Sequence, residues 1–258
     1  MYRERNLEML DNMPCQICGD IAKPLDVVDF NKCCEERRGL FLRFSGIAVY
    51  YYFCSQCGFC FAPDFRKWSD VEFSKYIYNQ DYVQVDPDYV EARPKSNAAL
   101  LVHHFKAHKD RIRHLDFGSG SGLLSRILQT LNWKSNSYDP FAHNTNQING
   151  SDKFNLITAY EVFEHVSDVN GLMAQLFEFM EPGGMILVST LLSDGYIFPH
   201  QRLAWWYASP RNGHISLFSK NSLEVLSKNH GFSIKSVSPG LHVLYREKMP
   251  DWGMRLFS

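Results

Sequence analysis

The chain has almost no net charge, no long apolar run and no internal repeat. Lysine plus arginine number 27 against 28 aspartate plus glutamate, which leaves −1. So even a balance provides no global field for nucleic acid or for an anionic membrane surface. No uninterrupted apolar stretch approaches the roughly 20 residues of a membrane-spanning helix. Residues 1–6, MYRERN, lack the apolar centre of a secretory signal, so a cytoplasmic setting with no membrane partner is expected. No low-complexity tract occurs, and no register of the glycines supplies the G-x-G-x-x-G of dinucleotide binding. What remains is 258 residues, 45% hydrophobic and 14% aromatic, enough for one large α/β domain and a small appendage.

Cysteine is present in an odd number, seven, and four of the seven fall into two C-x-x-C-G knuckles. These are Cys15 with Cys18 and Cys54 with Cys57. In a chain without an export signal, paired knuckles favour thiolate–metal chemistry over disulfides. Four thiolates are the tetrahedral set of a closed, structural Zn²⁺ site. The trailing Gly19 and Gly58 allow the tight turn in which backbone N–H groups face sulfur. Strand-like runs at 40–44 and 47–53 can form a ribbon hairpin inside the 35-residue gap. The alternative is reduced, buried cysteine. Cys33 or Cys34 could replace one ligand, and Cys60 reads as core.

The pattern changes near residue 90. Residues 1–62 read as the zinc-ribbon module, 63–95 as a polar and aromatic connector, and 96–258 as the main domain. Helices are expected at 97–108, 123–131, 169–180 and 222–228. Strands are expected at 112–117, 135–138, 154–161, 185–190, 233–238 and 242–246. That alternation predicts an α/β fold, a mostly parallel sheet with helices on both faces.

Residues 113–124, RHLDFGSGSGLL, end an apolar run in Asp116 and then place Gly118, Gly120 and Gly122 at alternate positions. This reads as strand, tight turn and helix, with bare backbone at a helix N-terminus. A negative charge at Asp116 is unwelcome to a pyrophosphate and suits a cationic ligand; a loop without a ligand is the alternative. The acid followed by G-x-G-x-G resembles the first motif of Rossmann-like S-adenosylmethionine-dependent methyltransferases. FNLITAYEVFEHVSD, EPGGMILVST and HISLFSKNSLEVLSKNHGF look like the later motifs of that superfamily, in order, so that the resemblance covers about 95–246. It implies S-adenosylmethionine as cofactor, its amino acid end lying over Gly118, Ser119, Gly120 and Gly122 with Asp116 facing its ammonium. Asp139, at the end of the second strand, can accept from both ribose hydroxyls, or can simply begin a turn before Pro140. Glu161 stands at the carboxyl end of a buried strand, where open α/β sheets bind ligands. One departure is the 14 residues between Asp139 and Phe154, which hardly hold the usual helix, third strand and adenine-contacting acid. Tyr138 or Ala159 could pack on the purine.

An acceptor that must lose a proton calls for a base, most often histidine near neutral pH. Related sugar enzymes carry an active-site histidine where this chain has His214, with an acid before it that is Gly213 here. His165 is the second candidate, and Tyr207 in the aromatic LAWWY segment could orient the acceptor. A zinc ribbon ahead of such a domain resembles bacterial enzymes acting on nucleotide-linked sugars and natural-product precursors. FCF at 59–61 and YIYNQDYVQVDPDY look like that group as well. The expected function is therefore methyl transfer to a small molecule, with a nucleotide-linked sugar or surface-glycan precursor as acceptor. Two alternatives stay open. One is an RNA methyltransferase gripping nucleic acid through Arg37, Arg38 and Arg43 of the ribbon; the other is a non-catalytic, cofactor-sensing interaction protein.

Overall fold

FNLITAY at 154–160 is buried along almost its whole length, which a strand tolerates only when its sheet is covered on both faces. The computed structural model describes residues 11–141, 148 and 151–257. The first half holds β1 (Met13–Pro14), β2 (Ile21–Asp29), β3 (Ala48–Cys54), β4 (Cys60–Phe61), α1 (Asp70–Tyr76), α2 (Tyr82–Val85) and α3 (Ala92–Phe105). Then come β5 (Arg113–Phe117), α4 (Leu123–Thr130), β6 (Lys134–Tyr138), β7 (Phe154–Tyr160), α5 (Val169–Phe179) and β8 (Met180–Ser189). The chain closes with β9 (Ser216–Leu217), α6 (Lys220–Asn229), β10 (Ser233–Ser238) and β11 (Leu241–Tyr245).

The large sheet has the order β10-β11-β8-β7-β5-β6. The four strands from β8 to β6 run parallel, and β11 and β10 add an antiparallel hairpin. Period-two alternation feeds two cores. Leu156, Tyr160, Met185 and Leu187 face Leu101, Phe105 and Leu128 of α3 and α4. Ile157, Ala159, Ile186 and Val188 face Leu172, Leu176, Leu223 and Leu226 of α5 and α6. Asp168 caps α5 through the Gly171 N–H, and Ser219 caps α6 through the Ser222 N–H. Among the described residues β6 is the edge strand, with no third strand beyond it. Most of the short 140–153 link that prompted this expectation lies outside the described residues.

The cysteine-bearing half forms an antiparallel sheet, β1-β2-β3-β4-β9, whose last strand comes from the far end of the chain. Cys60 pairs with Leu217 there. The strand expected at 40–44 is instead an irregular link, with Phe41 71% and Phe44 78% exposed. Its place beside β3 is taken by β2, whose Pro24 argues against a strand in the sequence but falls at a register shift in the structure. Residues 63–95, expected as a connector, are short helices. Their Phe65, Phe73, Ile77 and Tyr82 share a core with Tyr51, Trp205 and Ile215. Among the described residues no helix is long and apolar enough to cross a membrane.

Candidate active site

β6 flanks β5 on one side and β7 on the other, so the strand order reverses at β5. The crevice at the carboxyl ends of such strands is where doubly wound sheets take ligands. There the glycine turn is pinned by three bonds: the Gly118 and Ser119 N–H groups donate to the Tyr138 carbonyl at 2.8 and 3.2 Å, and the Gly120 N–H to Asp139 Oδ2 at 2.7 Å. The Phe141 N–H donates to Asp139 Oδ1. Gly118 has φ +73°, and a Cβ on it would lie 2.4 Å from a Val162 methyl. Gly122, also left-handed, opens α4. The Ser119 hydroxyl is buried and makes no hydrogen bond, an orphaned donor that a polar ligand can satisfy.

Asp116 is buried behind this turn, and burial pushes its carboxyl up to about 7 against the pull of the Thr158 hydroxyl. Thr158 Oγ1 donates to Asp116 at 3.0 Å and lies within hydrogen-bond distance, 3.0 Å, of His114 Nε2. His114 Nδ1 meets the Ser135 hydroxyl at 2.7 Å, and burial drives this histidine down to about 3, so it is neutral. The chain of bonds fixes the carboxylate's direction. Thr158→Val keeps the shape but strips Asp116 and His114 of a partner, and should cost about 1–3 kcal/mol. Thermal unfolding of the variant measures this.

A cavity of about 800 Å³ begins at this turn, inside the range of roughly 300–1,000 Å³ usual for small-molecule sites. It runs past Asp139, Tyr160 and Glu161 to His165, under a roof of Tyr78, Tyr82 and Arg93. Burial pulls the Arg93 guanidinium down, but bidentate bonds to Asp86 at 3.0 and 2.7 Å more than offset this and keep it charged. Glu161 holds a left-handed φ of +54°, rare for its residue type. Its N–H donates to the Ser189 carbonyl and hydroxyl oxygens, and its Oε1 accepts from that hydroxyl at 2.9 Å. Burial raises the Glu161 carboxyl pKa, and Arg93 opposes that.

Glu164 is fully buried one turn further on. Burial and the Glu161 charge push its carboxyl up to about 8. Its Oε1 accepts a short hydrogen bond from the Tyr207 hydroxyl, while its Oε2 makes none. His165 lines the cavity, its Nδ1 unpartnered, and burial pushes it down to about 3. The His214 ring is 4.9 Å from that of His165 and 4.1 Å from that of Tyr207. Its Nδ1 lies 2.8 Å from the Tyr207 carbonyl, and burial pushes its pKa well down. His214 and Tyr207 thus stand one layer behind the cavity wall. Trp205 packs in the core.

Gly213 also acquires a reason. Its φ is +85°, and a Cβ there would meet His165 Nδ1 at 3.0 Å. The carboxylate beside the two histidines is supplied by Glu164 instead. Sequence reading missed it, although it sits three residues after Glu161 in EVFEHV. Tyr78, Tyr82 and Arg93 were missed because they lie in the expected connector; the aromatic density of YIYNQDYVQVDPDY was the available clue.

Cys15, Cys18, Cys54 and Cys57 converge, with all four sulfurs within 4.8 Å of one another. Cys15–Cys57 and Cys18–Cys54 are 3.6 and 3.4 Å apart. A tetrahedron with metal–sulfur bonds of ~2.3 Å has edges of roughly 3.8 Å, so the set fits a zinc ion with little adjustment. Backbone N–H groups of Ile17 and Cys18 face the Cys15 sulfur, and that of Phe59 faces Cys57. Cys33 and Cys34 are elsewhere, near the Leu40 carbonyl and His214 respectively, and Cys60 is core. Of the basic trio, Arg37 stacks on Trp206 and Arg38 pairs with Glu35 and Asp88.

A family model described as a methyltransferase domain matches residues 89–237. Curated relatives include the ubiquinone biosynthesis O-methyltransferase of Rhodopseudomonas palustris strain BisB18, 29% identical over 101 residues, 31% of this chain and 40% of that one. The Azorhizobium caulinodans protein of the same name is 29% identical over 121 residues, 36% of this chain and 47% of that one. The chain thus spans less than half the length of these relatives. Among solved structures, DesVI of Streptomyces venezuelae aligns with 69% of this chain and 100% of its own, at 15% identity and TM-score 0.42. A SAM-dependent methyltransferase from Bacteroides fragilis in complex with S-adenosyl-L-homocysteine aligns with 52% and 71%, at 17% identity and TM-score 0.37. These structural likenesses are slight.

Proposed function

Since the chain belongs to the methyltransferase-domain family, we propose that it moves the methyl group of S-adenosylmethionine to an oxygen of a small, ring-bearing acceptor. One observation carries this reading: a single cavity joins the glycine turn after β5 to the polar wall after β7. When bound, S-adenosylmethionine supplies a methyl group on a cationic sulfur. Asp116 and the Gly118–Gly122 backbone hold its amino acid end, and the orphaned Ser119 hydroxyl gains a partner there. Arg93 faces its carboxylate. Asp139 would hold its ribose hydroxyls.

The acceptor loses its proton at the wall of Glu161, Glu164 and His165, and only His165 and Glu161 of that group reach the cavity. His214 and Tyr207 position this wall from behind. Methyl transfer needs acceptor oxygen, methyl carbon and sulfur in line with water excluded, and the tyrosine roof serves that end. Tyr78 and Tyr82 offer aromatic surface against which a ring, either a sugar or a phenol, would pack. The curated relatives favour oxygen as the accepting atom; a nucleotide-linked sugar or glycan precursor is the acceptor class we place first. The engagement of Arg37 and Arg38 within the fold disfavours a nucleic-acid groove. The four knuckle cysteines hold a closed, structural Zn²⁺.

Calorimetric titration with S-adenosyl-L-homocysteine tests the donor site. Saturable binding is expected, with Asp116→Ala and Asp139→Ala each weakening it. Loss of a charge-assisted hydrogen bond of about 1.5–3 kcal/mol corresponds to roughly 10–100-fold in affinity. No heat from folded wild-type protein refutes the assignment.

A further inference from the structure

The cavity's far wall holds a second set of metal-ligating groups, separate from the cysteines. Glu164, His165 and His214 each bring one ligand atom to within 4.8 Å of the others. We propose that these three residues bind a divalent transition-metal ion, with Glu161 beside its open face, and that the ion seats the acceptor's oxygens for methyl transfer. The role in transfer rests on the function proposed above; the metal site does not.

Four observations carry the assignment. Glu164 Oε2 and His165 Nδ1 are buried without a hydrogen-bond partner of good geometry, the first close to the Thr190 hydroxyl and the second close to the Asn212–Gly213 backbone. Orphaned buried polar atoms are rare, and an unrecorded ion is one of the few things that explains them. Secondly, the supporting shell is already in place. His214 donates from Nδ1 to the Tyr207 carbonyl, which leaves its other ring nitrogen to the cluster, and Tyr207 also donates to Glu164 Oε1. Metal-bound histidines are oriented in this way by a carbonyl or carboxylate on the other nitrogen. Thirdly, Glu161 stands beside Glu164, which puts a second carboxylate at the edge of the cluster as a further oxygen ligand. Fourthly, His165 and Glu161 line the cavity, so the cluster meets the acceptor space on its His165 side, where a catalytic metal site keeps its open position.

Two imidazoles with a carboxylate suit Mn²⁺, Fe²⁺, Co²⁺ or Zn²⁺ better than Ca²⁺ or Mg²⁺. A metal with open positions also favours a particular substrate: one with two adjacent oxygens, a vicinal diol or catechol, which can chelate. A hydroxyl bound to such an ion would shed its proton far more readily than in water, and the Glu161 carboxylate at the open face would take it. The two histidines then serve as ligands, and no imidazole base is required.

The test uses the full chain with its cysteine site zinc-loaded, freed of weaker metals by gel filtration and titrated with Mn²⁺ alone. Electron paramagnetic resonance of the free ion should report one saturable Mn²⁺ per chain. Pulsed spectra of the bound ion should show nitrogen couplings from histidine, a readout that needs no variant. Glu164→Gln and His214→Gln should each weaken binding at least about tenfold while zinc content and S-adenosyl-L-homocysteine affinity stay unchanged. Absence of saturable uptake, absence of nitrogen couplings, or affinity indifferent to both substitutions overturns the site. Failure of the donor reading would show separately, as wild-type protein that takes up Mn²⁺ but not S-adenosyl-L-homocysteine.

Discussion

Emptying the zinc site proposed at the cysteine cluster, by chelation or by Cys15→Ser, is expected to abolish methyl transfer while leaving donor binding largely intact. The argument begins with magnitude. A structural zinc site is worth about 10–16 kcal/mol to a small module at neutral pH, against a total stability of about 5–15 kcal/mol for a typical domain. Without a cation, four thiols must share a space in which they cannot all ionise. The consequence travels because the knuckles are fastened to the large domain. The Asn170 and Asn229 side chains donate to the Gln16 and Ile17 carbonyls, and the Ser219 hydroxyl donates to that of Cys57. β4 pairs with β9, two residues after His214. Tyr51 of β3 donates to the His214 carbonyl at 2.7 Å, so a molten ribbon removes a support of the wall that handles the acceptor. The turn after β5 has its own sheet and helices and should persist. Hydrogen exchange across β3 and β9, read beside S-adenosyl-L-homocysteine titration, separates the two regions. Metal-free protein with native protection and full activity would refute the structural role.

Gly118→Ala should all but eliminate donor binding. The left-handed backbone at this position penalises any Cβ by about 1–2 kcal/mol. The new Cβ would in addition lie 2.4 Å from the Val162 methyl, and overpacking of that kind costs about 1–3 kcal/mol. The turn relieves both only by shifting, which breaks its bond to the Tyr138 carbonyl and spoils the cradle. The summed penalty of about 2–5 kcal/mol corresponds to a loss of roughly 30- to several-thousand-fold in affinity. Gly120→Ala is the internal control. Its φ is +53° but nothing lies within 4 Å of the added Cβ, so only the backbone penalty applies and the loss should be smaller. Titration of both variants with S-adenosyl-L-homocysteine gives the order. Equal losses, or a Gly118→Ala protein within a factor of about three of wild type, would show that this turn is not the cradle.

The two features from which those expectations start are local, and the sequence alone determined them. A tight turn against bare backbone admits only glycine at Gly118 and Gly122, and a C-x-x-C-G knuckle carries its own geometry in five residues. The same holds for β7 and the second half of β8, whose apolar runs left no other place for them than a covered core. The rest was decided by tertiary structure. Glu164, His165 and His214 come together from segments some 50 residues apart, and no spacing rule connects them. Residues 63–95 look polar and loose along the chain, yet their tyrosines and Arg93 become the cavity roof because β3, β9 and the 203–215 segment offer them a shared core. β2 keeps its proline because a register shift absorbs it, and 40–44 stays out of the sheet because β2 already occupies that edge. Turns and metal knuckles are set by the few torsions and ligands they contain, whereas walls, roofs and edges depend on what else arrives to cover them.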